Sequence, residues 1–355
     1  MTNQPKDTLP ADAASAGGTI SRRQLLKRAA LLGLALPLGA GLAGCGAGRQ
    51  PAAGAPGASA QKTVRLGWGK GGLTLYAKTR GAFEQALAAQ GLKAEWVGPF
   101  PNHAPSLQAV TGGSADFSFG GSSTPALAAI LGGSPLVFTS LALSEPRTTA
   151  IIARKDSDIQ KVPDLVGKKV AVNRSGLGEF MLVAALEKYQ VPRDKVEVVF
   201  LNPPDAAPAL AEGKIDAWSI WSGPREIAEV EYGARPIFVE GDELPREQQI
   251  DVGSFLVLEE YAKQNPETVR AVIAAYRAEA EWSNTHPDEA AALLAKESGW
   301  KKEVVDRIVA YKRTTEIISP GDTKIFDLQK AADWLAERKV IPSKIVVADH
   351  VANLA

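Results

Sequence analysis

Short apolar runs alternate with glycine-ended helical stretches from residue 64 onward, and this alternation restricts the fold more than any single motif. Val64-Arg65-Leu66-Gly67-Trp68 reads as a strand. Gly71-Gly72 opens a stretch whose apolar residues Leu75, Ala82, Phe83, Ala86 and Leu87 fall near helical spacing, which predicts a helix to about Ala89. Gly91 stops it, and 93–97 reads as the next strand. A helix over 104–111 and a strand over 116–119 follow. Ser122-Ser123-Thr124-Pro125 then opens another helix, with a hydroxyl cap and a first-turn proline. The run 136–140 is a further strand. Repeated strand–helix–strand order demands a largely parallel sheet covered on both faces, so the expected class is α/β.

A second series continues the pattern. Strands are expected over 148–152, 168–173, 196–201, 216–220, 236–239 and 252–258, with helices over 176–189, 205–212 and 224–231 between them. From Tyr261 the chain reads as nearly all helix, over about 266–284, 287–297, 301–311 and 322–338. One internal echo stands out. Val110-Thr111-Gly112-Gly113-Ser114-Ala115-Asp116-Phe117 parallels Leu210-Ala211-Glu212-Gly213-Lys214-Ile215-Asp216-Ala217. Each ends a helix at glycine and turns through aspartate into a strand. Ordinary α/β grammar produces such turns singly; two at corresponding places favour two similar lobes. The 355 residues suffice for both.

The charge balance excludes some functions. Lysine plus arginine equals aspartate plus glutamate, at 40 each, which leaves no broad field for nucleic acid. His103, His286 and His350 are far apart and lack metal-ligand spacing, so neither a metal nor a cofactor is expected. With one cysteine no intramolecular disulfide forms.

That cysteine closes a leader. Ser21-Arg22-Arg23-Gln24-Leu25-Leu26-Lys27-Arg28 precedes an apolar run from Ala29 to Leu42 without an acidic residue. The run has the length of a signal-peptide core and falls short of the roughly 20 apolar residues of a membrane span. Leu42-Ala43-Gly44-Cys45 has the pattern of a lipobox, with Cys45 the acylated first residue. Residues 1–44 are therefore expected to be a signal peptide. The paired arginines suit a twin-arginine signal, and an ordinary Sec signal is the alternative. Residues 45–61, rich in glycine, alanine and proline, read as a flexible tether.

In open α/β sheets ligands sit beyond the carboxyl ends of strands, against helix N-termini. The turns there are Gly69-Lys70-Gly71-Gly72, Gly120-Gly121-Ser122-Ser123-Thr124, Ser175-Gly176-Leu177-Gly178 and Trp221-Ser222-Gly223-Pro224. Unpaired N–H groups and the helix dipole make such turns anion sites, and none is a nucleotide-binding P-loop. Trp218 and Trp221 flank one strand end; each offers a flat apolar face to a ligand or packs in the core. Glu179 either complements its helix dipole or meets an amine. Arg147 either neutralises an anion or is a solvated strand-end charge.

Taken together, Gly69-Lys70-Gly71, Asp164-Leu165-Val166-Gly167-Lys168-Lys169-Val170-Ala171-Val172, Asp216-Ala217-Trp218-Ser219-Ile220-Trp221, Gly253-Ser254-Phe255 and the region around Pro320 resemble the aliphatic sulfonate-binding proteins of the sulfonate/nitrate/taurine ABC importers. The likeness covers the chain from about residue 62. It implies a type II periplasmic-binding-protein fold, with 62–146 and 250–355 in lobe 1, 147–249 in lobe 2, and crossovers near Arg147 and Ile250. It also implies a monomer in the periplasm or at the cell surface, lipid-anchored to the membrane, that hands a small sulfonate-like anion to a permease and ATPase. The expected ligand-binding residues are Lys70, Gly71, Ser122, Ser123, Ser175, Gly176, Trp218, Trp221 and, by the resemblance, Ser254. Taurine, nitrate or a pyrimidine precursor are alternative ligands, and a tethered ligand sensor is an alternative role. Pyrimidine-precursor synthases share the fold but resemble a site with cysteines and a histidine; here Cys45 is committed to the lipobox, and a binding protein rather than an enzyme is expected.

Overall fold

The computed structural model describes residues 61–354. The expected leader, Cys45 and the tether up to residue 60 lie outside the described residues. Among the described residues no helix is long and apolar enough to cross a membrane.

Two sheets organise the molecule. In the first, β1 (Lys62–Gly67) and β2 (Leu92–Val97) are parallel, in register from Lys62 opposite Leu92 to Gly67 opposite Val97. Residues 116–118 extend this pair: Gly67 N–H donates to Phe117 O at 2.9 Å, and Ser118 N–H to Leu256 O at 2.9 Å. The segment thereby reaches β9 (Gly253–Leu258), which runs antiparallel to β3 (Leu136–Glu145), itself antiparallel to β10 (Thr314–Ile318). The second sheet has the order β6-β5-β7-β4-β8. Its strands are β4 (Ala150–Ala153), β5 (Lys169–Val172), β6 (Glu197–Phe200), β7 (Ala217–Ile220) and β8 (Arg235–Val239). β5 is parallel to β6 and β7, whereas β4 is antiparallel to β7 and β8.

The helices are α1 (Leu73–Arg80), α2 (Ala82–Ala88), α3 (His103–Thr111), α4 (Ser123–Leu131), α5 (Leu177–Lys188), α6 (Pro203–Ala211), α7 (Pro224–Tyr232), α8 (Glu240–Glu243), α9 (Glu259–Gln264), α10 (Pro266–Thr285), α11 (Pro287–Glu297), α12 (Lys302–Ala310) and α13 (Leu328–Glu337). α10 shows how a sequence period becomes packing. Its buried Val269, Val272, Ile273, Tyr276 and Ala280 fall on one face. The Tyr276 ring lies 4.7 Å from Phe83 of α2 and 4.4 Å from Phe255 of β9, centre to centre. α5 is buried on several sides because it lies between the second sheet and α13, where Phe180 meets Trp334 edge-on at 5.4 Å.

The echo has a physical basis. Gly113 and Gly213 both take positive φ, +74° and +71°, which favours glycine. The Asp116 carboxylate accepts Arg65 N–H at 2.7 Å, and the Asp216 carboxylate accepts Lys169 N–H at 2.9 Å. Each aspartate's own N–H donates to the carbonyl of that same residue, at 2.7 and 2.8 Å. The same turn thus locks the same neighbouring strand in both lobes.

Other expectations are corrected. The helix expected up to Ala89 is two helices, because Gly81 adopts φ +80° between them. Residues 116–119 make bridges rather than a regular strand. The C-terminal region is not all helix: Thr314-Thr315-Glu316-Ile317-Ile318 pairs with β3 as β10. The last long helix starts at Leu328, where the Asp327 carboxylate caps Lys330 N–H, rather than at 322.

Two C-terminal pieces touch both lobes. α13 packs on α4, and its end is clamped to lobe 2 by Arg338–Glu187; one hydrophobic cluster runs through Leu127, Phe138, Ile151, Phe180 and Leu335. The α11–α12 hairpin sets α11 on α1 and α12 on α7, where Arg307 pairs with Glu229 at 3.1 Å and Lys301 with Glu231 at 3.0 Å.

Candidate functional site: an inter-lobe cleft

The strand ends of the two sheets face a cavity of about 1200 Å³. Lys70, Gly71, Ser122, Trp218 and Trp221 line it. Ser123, Ser175, Gly176 and Ser254 do not, for local reasons. Ser123 is fully buried, its hydroxyl 3.3 Å from an Asp251 oxygen and accepting Val252 N–H at 3.3 Å. Ser254 donates to Gly121 O at 3.1 Å. Ser175 N–H donates to Glu179 at 2.7 Å, and Gly176 is pressed against Asn173. Trp218 is 1% exposed and chiefly core, whereas Trp221 is half-buried.

The helix N-termini differ in what they have left to offer. At α4, Asp251 Oδ1 accepts from the Ser122 hydroxyl at 2.6 Å, Thr124 N–H at 3.0 Å and the Thr124 hydroxyl at 2.7 Å. The protein's own carboxylate therefore occupies the anion position expected there. Burial raises the Asp251 pKa, and these donors oppose the rise. At α5, Asn173 Oδ1 takes Gly178 N–H at 2.8 Å. Glu179 is buried in the first turn of α5, where it takes Ser175 N–H, as suits the helix dipole, and pairs with Arg193. α7 is closed by Glu226 on Gly223 N–H, and α6 starts with Pro203-Pro204, which carry no N–H. The N-terminus of α1, beside Lys70, has no side-chain cap.

The chief cation of the cleft escaped sequence reasoning. Arg313 lines the cavity, donates to the Thr148 hydroxyl at 3.2 Å, and has no ion-pair partner among the described residues. Solvent reaches it through the cleft, while the surrounding protein lowers its pKa by desolvation. Its only sequence signal was a basic pair, Lys312-Arg313, after a helix. Arg147 is not a solvated charge: its side chain is 10% exposed, lies 3.3 Å from Glu145 and donates to Asp251 O at 2.8 Å.

His103, Arg147 and Glu240 on the cavity wall each have a buried atom without a hydrogen bond among the described residues. His103 Nδ1 lies 2.7 Å from Ser122 O, so it carries the proton, and Nε2 has no partner. Burial pulls His103 down to about 4. Glu240 is 1% exposed, its Oε1 has no partner, and burial pushes its pKa up to about 7 against the pull of Arg147. Asn102 of lobe 1 donates to Asn202 of lobe 2 at 3.0 Å across the cleft. Among the described residues no cluster of histidine, cysteine or carboxylates is arranged to hold a metal.

Trp300, in the α11–α12 turn, was also missed. A β-carbon on Gly71 would stand 2.9 Å from its indole, and one on Gly223 3.0 Å. The ring thus fills the space of an absent side chain on each lobe.

Two α/β lobes enclosing a cleft at their strand ends define a type II periplasmic-binding-protein fold. The family model described as NMT1/THI5 like matches residues 73–290. A Bacillus subtilis (strain 168) protein named as an aliphatic sulfonates-binding protein is 32% identical over 317 residues, covering 88% of this chain and 91% of the relative. The chain belongs to this NMT1/THI5-like family of binding proteins. The alkanesulfonate-binding protein SsuA from Xanthomonas axonopodis pv. citri, solved bound to MOPS, superposes with TM-score 0.73 at 25% identity, covering 82% of this chain and 99% of that one. The periplasmic aliphatic sulphonate binding protein SsuA from Escherichia coli gives 0.70 at 24% identity, over 82% and 92%.

Proposed function

We propose that this protein is the substrate-binding component of an ABC importer, that it captures an organosulfonate in the inter-lobe cleft, and that it delivers the ligand unchanged to a membrane permease driven by an ATPase. The observation that carries the reading is Arg313, a guanidinium in the cavity wall that makes no ion pair among the described residues. A sulfonate is permanently charged and presents three acceptor oxygens, which suits a fork of fixed N–H donors. The uncapped start of α1 and Lys70 add donors. Sulfonate-binding relatives over most of the chain support the same ligand class. The reading includes a periplasmic or cell-surface monomer, exported by the twin-arginine route and anchored through acylated Cys45.

Calorimetry with alkyl- and arylsulfonates on the purified protein tests the reading. Arg313→Ala is expected to weaken sulfonate binding by roughly 10- to 100-fold, the loss of a charge-assisted contact of about 1.5–3 kcal/mol. A correctly folded Arg313→Ala protein with wild-type affinity removes Arg313 as the anchor. Wild-type protein that binds no sulfonate refutes the function.

A further inference from the structure

The cleft is unusually aromatic for this chain. Aromatic residues make up 6% of the sequence, yet the cavity walls include Tyr76, Phe119, Trp221, Trp300 and Tyr311. Its volume of about 1200 Å³ exceeds the ~300–1,000 Å³ of pockets for drug-sized ligands. A two-carbon sulfonate anchored on Arg313 would leave most of these rings facing water. Apolar surface left wet contributes nothing to affinity, whereas covering it favours binding.

Trp300 is the most informative of these residues. It comes from the α11–α12 hairpin, whose two helices pack on opposite lobes. Its indole rests against Gly71 of lobe 1 and Gly223 of lobe 2. Gly223 has φ +97°, a conformation that disfavours a side chain, so the space under the indole stays open for it. Gly223 is also two residues beyond Trp221, so the two half-buried indoles flank one turn of the cleft wall.

We infer that the preferred ligand is a ring-bearing sulfonate, an arylsulfonate, whose flat ring is read by Trp300 together with Trp221. This deepens the sulfonate reading and rests on it. The anionic head sets the ligand on Arg313, and the ring covers aromatic wall that a short alkyl chain cannot reach. Flat faces stack or meet edge-on at defined spacing, which rewards a ring beyond its apolar area. Trp300 is thus a specificity determinant rather than the anchor.

The experiment is a calorimetric series on the purified protein with benzenesulfonate, 2-naphthalenesulfonate, hexanesulfonate and ethanesulfonate. Hexanesulfonate separates ring recognition from apolar area, because it carries as many carbons as benzenesulfonate. Benzenesulfonate is expected to bind at least tenfold tighter than ethanesulfonate and at least threefold tighter than hexanesulfonate. Trp300→Leu keeps apolar bulk between the lobes and is expected to reduce the benzene-to-hexane ratio to near one; Trp300→Phe is expected to restore much of it. Hexanesulfonate binding as tightly as benzenesulfonate to wild-type protein overturns the inference and leaves the sulfonate reading standing. A ratio unchanged in Trp300→Leu overturns the role of Trp300. Binding of none of the four refutes the sulfonate reading itself, and the inference with it.

Discussion

Replacing Glu240 with glutamine tests whether a buried carboxyl is held against its preference. Glu240 is 1% exposed and its Oε1 has no hydrogen-bond partner. Burial lifts its pKa from the ordinary 4.5 to about 7, even with Arg147 nearby. Between those values the native protein keeps the proton while the unfolded chain releases it. The native state then binds more protons than the unfolded one, so stability falls as pH rises through this window. Each pH unit costs about 1.4 kcal/mol, and the loss levels off near 3 kcal/mol (an order-of-magnitude figure) above pH 7. Glutamine has the shape of the protonated carboxyl and cannot ionise. Glu240→Gln is therefore expected to match wild-type stability near pH 4.5 and to exceed it by about 3 kcal/mol at pH 8. Urea unfolding of both proteins at several pH values measures the difference. His103, pulled down to about 4 by burial, gives the opposite slope between about 4 and 6.5, but it is common to both proteins and cancels in the difference. A difference that stays constant from pH 4.5 to 8 refutes the reasoning.

Asp251→Ala leaves the donors of Ser122 and Thr124 without their shared acceptor and is expected to cost about 2–4 kcal/mol of stability by urea unfolding; Ser123→Ala, whose hydroxyl faces Asp251 and Val252 rather than the cavity, is expected to cost about 1 kcal/mol of stability and to leave sulfonate affinity within twofold. Cys45→Ala is expected to abolish incorporation of a labelled fatty acid in cells; equal label in the variant would remove the lipid anchor.

The fold was legible where local pattern and global packing agree. The Gly113–Asp116 and Gly213–Asp216 turns could be read because the glycine that supplies positive φ and the aspartate stand three residues apart, although the strand each aspartate bonds lies about 50 residues back. Glycine also misled: Gly81 looked like an ordinary interior residue, yet its left-handed conformation splits the helix. β10 was missed because its partner β3 lies about 170 residues away, at Ser144 opposite Thr315, and a short run of threonine and isoleucine has no period of its own. The site was legible as a place, at strand ends, but less so as chemistry. Asp251 caps a helix that begins 128 residues earlier, at Ser123, and no spacing rule links them. Arg313 and Trp300 reach the cleft only because the C-terminal helices fold back over both lobes.

The two lobes repeat one turn, and Asn102 of one meets Asn202 of the other across the cleft. Two halves so related would treat both ends of a guest alike. A sulfonate has one charged end, so an even-handed cleft could hold it in either direction with equal ease. What breaks the tie is chain outside the repeated turns: Trp300 and Arg313 line the cavity from the C-terminal region. With the anion set on Arg313 as proposed, the orientation of the guest is expected to come from the unduplicated C-terminal segment. The doubled scaffold supplies the walls.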